Sequence, residues 1–145
     1  IDGTPVINDY AAYISTKYMF SDLLTIQPAM RFIYNTKYDA PLIPALNVMS
    51  ELTDEITVRA SYAKGFRAPS LKELYFFFVD ASHNIQGNEN LEAESSDAFN
   101  LGFSYTLVND KRVLKLEPNF YYNNIKNKIS IANVQSTLFT YVNLG

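Results

Sequence analysis

An alternation with a period of two runs through most of this chain. Across residues 24–34 the even positions Leu24, Ile26, Pro28, Met30, Phe32 and Tyr34 are all apolar or aromatic, and Thr25, Gln27, Ala29, Arg31 and Ile33 fall between them. Successive side chains of a strand point to opposite faces, so this stretch predicts a half-buried strand. Residues 9–20 alternate more loosely, with Ala12, Ile14 and Tyr18 set against Ser15 and Lys17. A third strand is expected over about 41–50, its outward set being Leu42, Pro44, Leu46 and Val48. Ile56, Val58, Ala60 and Tyr62 predict another, as do Phe99, Leu101, Phe103 and Tyr105, then Leu114, Leu116, Pro118, Phe120 and Tyr122. A last strand is expected over about 138–144.

The connections between these strands differ in length. Residues 19–22, 51–54 and 108–111 read as tight turns, whereas 64–92 and 125–137 read as long connections. Strand parity puts every tight turn at one end, as in outer-membrane barrels. Aromatics collect toward strand ends at Tyr18, Phe20, Tyr34, Tyr62, Phe103, Tyr105 and Tyr122. An eleven-residue strand tilted by ~45° rises on the order of 25 Å, the height of a barrel's apolar band. A soluble antiparallel sandwich alternates equally well, so pattern alone leaves both readings open. Prolines 28, 44 and 118 count against either, because a mid-sheet proline removes a ladder hydrogen bond. No apolar run approaches the length of a transmembrane helix.

Composition narrows the function classes. The 145 residues suit one domain and include 11 Tyr and 10 Phe but no Trp or Cys, at a formal net charge of −3. No basic cluster is present, so nucleic acid is not an expected partner. The lack of cysteine excludes thiol catalysis and a Cys-ligated metal. With His83 the only histidine, and no phosphate loop or nucleophile elbow, an enzyme is not expected. Glu92 and Glu94 share one side of a strand, where acid–base work competes with a plain solvated loop. Asp80, Asn84, Asn88 and Asn90 supply oxygen donors without the spacing of a known calcium loop. A start at Ile1 without a leader, and a last strand that reads as cut, predict an internal fragment of a longer protein.

The stretch Tyr62-Ala63-Lys64-Gly65-Phe66-Arg67-Ala68-Pro69-Ser70-Leu71-Lys72-Glu73-Leu74-Tyr75 closely resembles the FRAP box of TonB-dependent outer-membrane receptors. That family follows the box with a Gly-Asn-Pro-Asn/Asp-Leu segment, which here reads Gly87-Asn88-Glu89-Asn90-Leu91, with Glu89 in place of the proline. Weaker echoes occur at Met30-Arg31-Phe32 and at Phe120-Tyr121-Tyr122-Asn123-Asn124-Ile125. The resemblance implies an all-β, antiparallel, up-and-down fold, about seven strands of a 22-stranded transmembrane barrel in the bacterial outer membrane. Residues 1–145 would be part of that barrel, with a long extracellular loop over about 65–94 and the plug domain lying elsewhere. Implied partners are outer-membrane lipid, the TonB complex acting through an N-terminal segment absent from this chain, and a small-molecule cargo. The isolated piece is expected to self-associate through its two open strand edges.

Haem receptors of the family resemble the central stretch most closely, because they place a histidine between the two boxes, where His83 stands. Imidazole and phenolate are both axial ligands of haem iron, so His83 is the candidate metal ligand and Tyr75 a second one. Phe76, Phe77 and Phe78 are candidates to cover a porphyrin, and Arg67 or Lys72 to pair with a propionate. The bland readings are a solvated His83, a structural phenylalanine run, and Arg67 and Glu73 as members of an ion-pair network. Haem or an iron chelate would be transported cargo, with no permanently bound cofactor. The alternatives are a receptor of the same family for cobalamin or a glycan, and a soluble β-sandwich binding or adhesion module.

Overall fold

The computed structural model describes residues 3–80, 84–135 and 137–145. In chain order the elements are β1 (Asp9–Ser15), β2 (Tyr18–Ser21), β3 (Leu24–Asn35), β4 (Ile43–Glu51), β5 (Ile56–Arg67), α1 (Leu71–Tyr75), β6 (Phe77–Val79) and β7 (Asn84–Gln86). There follow β8 (Glu94–Asn109), β9 (Arg112–Leu116), β10 (Asn119–Lys126), β11 (Lys128–Gln135) and β12 (Leu138–Leu144). The main sheet runs β1-β3-β4-β5-β8-β10, with β2 extending β1 along β3 and β9 extending β10 along β8. All its pairs are antiparallel. The expected up-and-down wall is present, open at β1/β2 on one side and at β9/β10 on the other.

Register explains where the wall strands break. The strand expected over 9–20 is two, interrupted at Thr16 and Lys17, and Thr16 lies opposite Pro28. The Thr16 amide donates to the Pro28 carbonyl at 3.1 Å, but a proline ring has no N–H to return the second bond of an antiparallel pair. The same happens opposite Phe103, whose amide donates to the Pro118 carbonyl at 3.0 Å, and there the strand expected over 114–122 divides into β9 and β10. Pro44 stands just beyond Ala45, the last residue of β4 paired with β5. Each proline thus thins or ends a ladder without preventing the sheet.

Across the registers, the even positions of β1 to β5, the odd positions of β8 and the even positions of β9 and β10 share one face. On it Tyr10, Ile14, Tyr18, Phe20, Phe32, Leu46, Phe99, Leu101, Phe120 and Tyr122 are all exposed. A sandwich would bury that face under a second sheet. An apolar face turned outward is what a barrel presents to lipid, and it removes the sandwich reading. The opposite face is polar, with Lys17, Gln27, Asn47, Arg59, Asn100 and Asn119 around one groove of about 390 Å³.

The tight turns, at 22–23, 52–55 and 110–111, lie together at one end. The other end departs most from expectation. Residues 125–137 are not an open connection: Asn127, at φ 54°, turns β10 into β11, which pairs with β12. The long loop holds α1, β6 and β7, while Gly65, Phe66 and Arg67 still belong to β5 and Glu94 already to β8. β6, β7, β12 and β11 make a second, four-stranded sheet in which β7 and β12 run parallel, the one departure from antiparallel pairing among the described residues. Under it sits a small core of Leu74, Leu91 and Ile129, flanked by Ile7, Tyr38, Tyr75 and Tyr141.

Candidate functional site

Arg67 ends β5 and ties three segments of the loop end together. Its Nε and Nη2 donate to the two carboxylate oxygens of Glu94 at 2.8 Å each, a bidentate pair across the β5–β8 ladder. Its Nη1 donates to both oxygens of Glu73 on α1, at 3.1 and 2.9 Å. Glu94 also accepts the backbone amide of Ile129 at the start of β11. The reading of Arg67 and Glu73 as an ion-pair network matches this geometry, and Glu94 joins them. A propionate approaching Arg67 would have to compete with two carboxylates already in place.

Glu73 also builds the helix. Ser70 caps α1, its hydroxyl accepting the Glu73 amide at 3.3 Å while Glu73 accepts the Ser70 amide at 2.7 Å, a reciprocal capping box. Partial burial works to raise the Glu73 carboxyl, but the bonds from Arg67 and Ser70 outweigh it, so the group sits below the ordinary glutamate range. Five residues are too few for a helix stable in isolation, so these bonds and the burial of Leu74 hold it.

The second motif packs directly on the first. The Asn88 amide donates to the Glu73 carbonyl at 2.9 Å and the Gly87 amide to that of Phe76 at 2.6 Å. A Cβ at Gly87 would stand 2.5 Å from the Leu74 carbonyl carbon and oxygen and 2.6 Å from the Tyr75 nitrogen, so only glycine permits this approach. Asn88 donates its side-chain amide to the Tyr141 carbonyl at 2.9 Å and accepts the Asn90 amide at 3.0 Å. Leu91 fills the core beside Leu74, at 3% and 1% exposure. Gly65 lies against the Ser96 side chain, Phe66 is half-buried, and Ala68 and Pro69 carry the chain from β5 to the helix cap. Both motifs therefore form one framework.

Other candidates find partners too. Glu92 accepts the Asn127 side-chain amide at 2.7 Å, and Asn143 accepts from the Glu92 amide at 2.9 Å while donating to its carbonyl at 3.0 Å. The pair Glu92 and Glu94 is thus occupied in bracing the loop end. The oxygen donors considered for calcium are spent on internal bonds at Asn84 and Asn88, and no cluster of three metal-ligating His, Asp or Glu side chains occurs among the described residues.

Tyr75 faces the connection at 36–42. Lys37 donates to its hydroxyl at 2.9 Å and stands 5.0 Å from its ring centre. This bond holds the Lys37 ammonium above its ordinary pKa, and burial raises the neighbouring Tyr38 phenol. The Tyr38 hydroxyl is buried with no hydrogen-bond partner among the described residues. The turn is set by buried Asn35, whose side-chain Oδ1 accepts the Lys37 and Tyr38 backbone amides at 2.8 Å each. Lys37, Tyr38 and Asn35 were not singled out from the sequence. The polar run after β3 marks a turn, and no local pattern places it beside Tyr75. Lys72 lies over the Phe76 ring at 5.1 Å, Phe76 and Phe78 stack at 6.3 Å, and Phe77 points into solvent. His83 lies outside the described residues.

The chain is similar to known proteins. The chain is 33% identical over 82 residues to the haemoglobin and haemoglobin-haptoglobin-binding protein B of Haemophilus influenzae, covering 57% of this chain and 7% of that protein. It is 29% identical over 115 residues to the ferric enterobactin receptor of Pseudomonas aeruginosa, covering 72% of this chain and 15% of that protein. The crystal structure of the siderophore receptor PirA from Pseudomonas aeruginosa superposes with a TM-score of 0.74 at 26% identity, over 94% of this chain and 26% of that one. The chain thus spans a small part of the length of these proteins. The model of the TonB dependent receptor-like β-barrel family matches residues 2–145, and the chain belongs to that family of bacterial outer-membrane barrels.

Proposed function

We propose that this chain supplies wall strands and the loop-end framework of an outer-membrane receptor that binds and imports a scarce iron-bearing nutrient, haem or a ferric siderophore. Energy for import comes through TonB, acting on a part of the receptor beyond these residues. The observation that carries this reading is the docking of residues 87–91 onto α1, locked by Arg67. It ties residues 70–76 and 87–91 into a firm platform, as a binding loop on a rigid scaffold requires. Relatives named for haemoglobin binding and for ferric enterobactin support an iron cargo. In the haem version His83 supplies an axial imidazole and Tyr75 a phenol, with Lys72 beside Phe76 as the cation for a propionate. Arg67 holds the platform.

The test is a titration of the complete receptor with haemin in detergent, following the Soret band, beside its His83→Ala variant and a parallel titration with a ferric catecholate. A saturable, red-shifted band that weakens in the variant supports haem uptake with His83 as ligand. Saturable quenching by the catecholate alone assigns a siderophore. Featureless titrations with both overturn the iron reading and leave cobalamin and glycans as cargoes.

A further inference from the structure

The inward face keeps three cations without ion partners. Lys17, Arg31 and Arg59 are exposed and form no ion pair among the described residues, whereas Arg67 is held by Glu73 and Glu94 and Lys115 by Glu117. Arg31, on β3, lines a cavity of about 410 Å³ beneath the loop end, together with Ile33, Phe66 and Leu71. Lys17 and Arg59 line the groove of about 390 Å³ nearer the tight turns, whose other lining residues are all uncharged. Arg59 lies opposite Met49, and Met49 opposite Thr25, six residues from Arg31, so the three cations extend over about 20 Å of strand.

Between the two cavities the wall is cut back. Ala29, Ala45, Ala63 and Ala98 stand opposite one another on β3, β4, β5 and β8, a row of methyl groups on the inward face. Ala29 lies between Arg31 and Gln27, and Gln27 belongs to the lower groove. Among the described inward-facing residues of β1 to β5, the carboxylates are Asp9 and Glu51, one at each end. Asp9 shares the upper cavity and accepts the Asn35 side-chain amide at 2.7 Å, and Glu51 lies by the tight turns.

Taking the chain as part of an iron receptor, as proposed above, we infer that Arg31, Lys17 and Arg59, with the alanine row between them, line the path along which an anionic iron chelate passes this part of the wall during import. Three observations select that traveller. Each cation is exposed on the face that encloses the interior, where a passing negative group meets it without displacing a carboxylate. Successive levels lie about 7–13 Å apart along the strands, comparable with the screening length of ~8 Å in physiological salt, so an anion leaving one cation is already drawn by the next. The methyl row leaves room for a bulky chelate where longer side chains would narrow the gap.

The test measures binding and import by the complete receptor in the outer membrane, with whichever of radiolabelled haemin and a ferric catecholate the wild type binds. Energy-depleted cells report binding alone. Lys17→Gln with Arg59→Gln is expected to keep the binding affinity and to lower the maximal import rate about twenty-five-fold, at roughly fivefold per charge contact in water. Lys17→Arg with Arg59→Lys is expected to import like wild type, and Ala63→Phe, which crowds the alanine row, to import more slowly. Heat-modifiable migration on gels checks that each variant is a folded barrel. Import unchanged by the glutamine pair or by Ala63→Phe overturns the path, as does an equal loss in the charge-preserving pair. A rise in uptake of a large antibiotic with the glutamine pair shows that the cations clasp the plug domain, and overturns it too. If the wild type binds neither cargo, the iron reading falls, and this path with it.

Discussion

Arg67→Met tests the framework most directly, because one side chain joins β5, α1 and β8. The change removes four hydrogen bonds of 2.8–3.1 Å and leaves Glu73 and Glu94 without the guanidinium that joins them. The carboxylates are mostly shielded, at 16% and 18% side-chain exposure, while Arg67 is 44% exposed. Hydrogen bonds to shielded charges are worth about 1.5–3 kcal/mol, and exposed ion pairs about 0–1 kcal/mol. Discounting for solvent at Arg67 gives about 2 kcal/mol of local stability, or roughly thirtyfold in an opening equilibrium. Amide exchange on the complete receptor reads this out. Peptides covering residues 70–76 and 86–92 should exchange about thirtyfold faster in the variant, with β3 and β4 unchanged. Adding Glu73→Gln and Glu94→Gln should return part of the protection, because the unpaired charges are then gone. Unchanged exchange over 70–76 and 86–92 would falsify the clamp, and uniform loosening of the wall would show that Arg67 acts on the barrel instead.

Three further outcomes follow from the same geometry. Gly87→Ala drives a methyl into the Leu74 and Tyr75 backbone, and overpacking of this kind costs about 1–3 kcal/mol, seen as new protease cleavage within 68–93 on the intact receptor. Leu91→Ala empties a core position beside Leu74, at about 2–5 kcal/mol, so cleavage there should be at least as fast. Glu73 is held below its ordinary pKa, so its contribution is complete above about pH 5 and fades as the pH falls through the ordinary carboxylate range near ~4 and below. Exchange over 70–76 should accelerate with acid in the wild type and lose most of that acceleration in Glu73→Gln; equal acid sensitivity in both would place the effect elsewhere.

The wall was largely legible and its loop end was not, for a physical reason. A strand with one apolar face writes a period of two into the chain, as β3 does over its whole length. Which solvent that face meets is not written there, and the exposed Phe32, Leu101 and Phe120 decide it only in three dimensions. Periodicity needs length, so a five-residue α1 and three-residue β6 and β7 leave no trace. The capping signature Ser70-x-x-Glu73, which marks the helix start, was not singled out. Residues 125–137 were read as a connection although Ile129 and Ile131 alternate with Ser130 and Ala132 in β11. The parallel pairing of β7 with β12 joins residues more than fifty apart, and no local signal carries it. The motif residues were found through resemblance. Why they are fixed became visible only when Gly87 was seen against the Leu74 backbone.

The two one-sided pairs at Thr16–Pro28 and Phe103–Pro118 have a mechanical consequence. Each leaves a carbonyl, on Thr16 and on Phe103, aimed at a ring with nothing to donate, in a part of the wall where hydrocarbon offers no substitute. Below these points β2 and β9 hang on short ladders, while β3, β4, β5 and β8 are joined by longer ones. In an isolated piece of residues 1–145, whose edges lack neighbouring strands, heat or tension should part the wall first as two flaps hinged at the prolines. Amides of β2 and β9 would then exchange ahead of those in the central four strands.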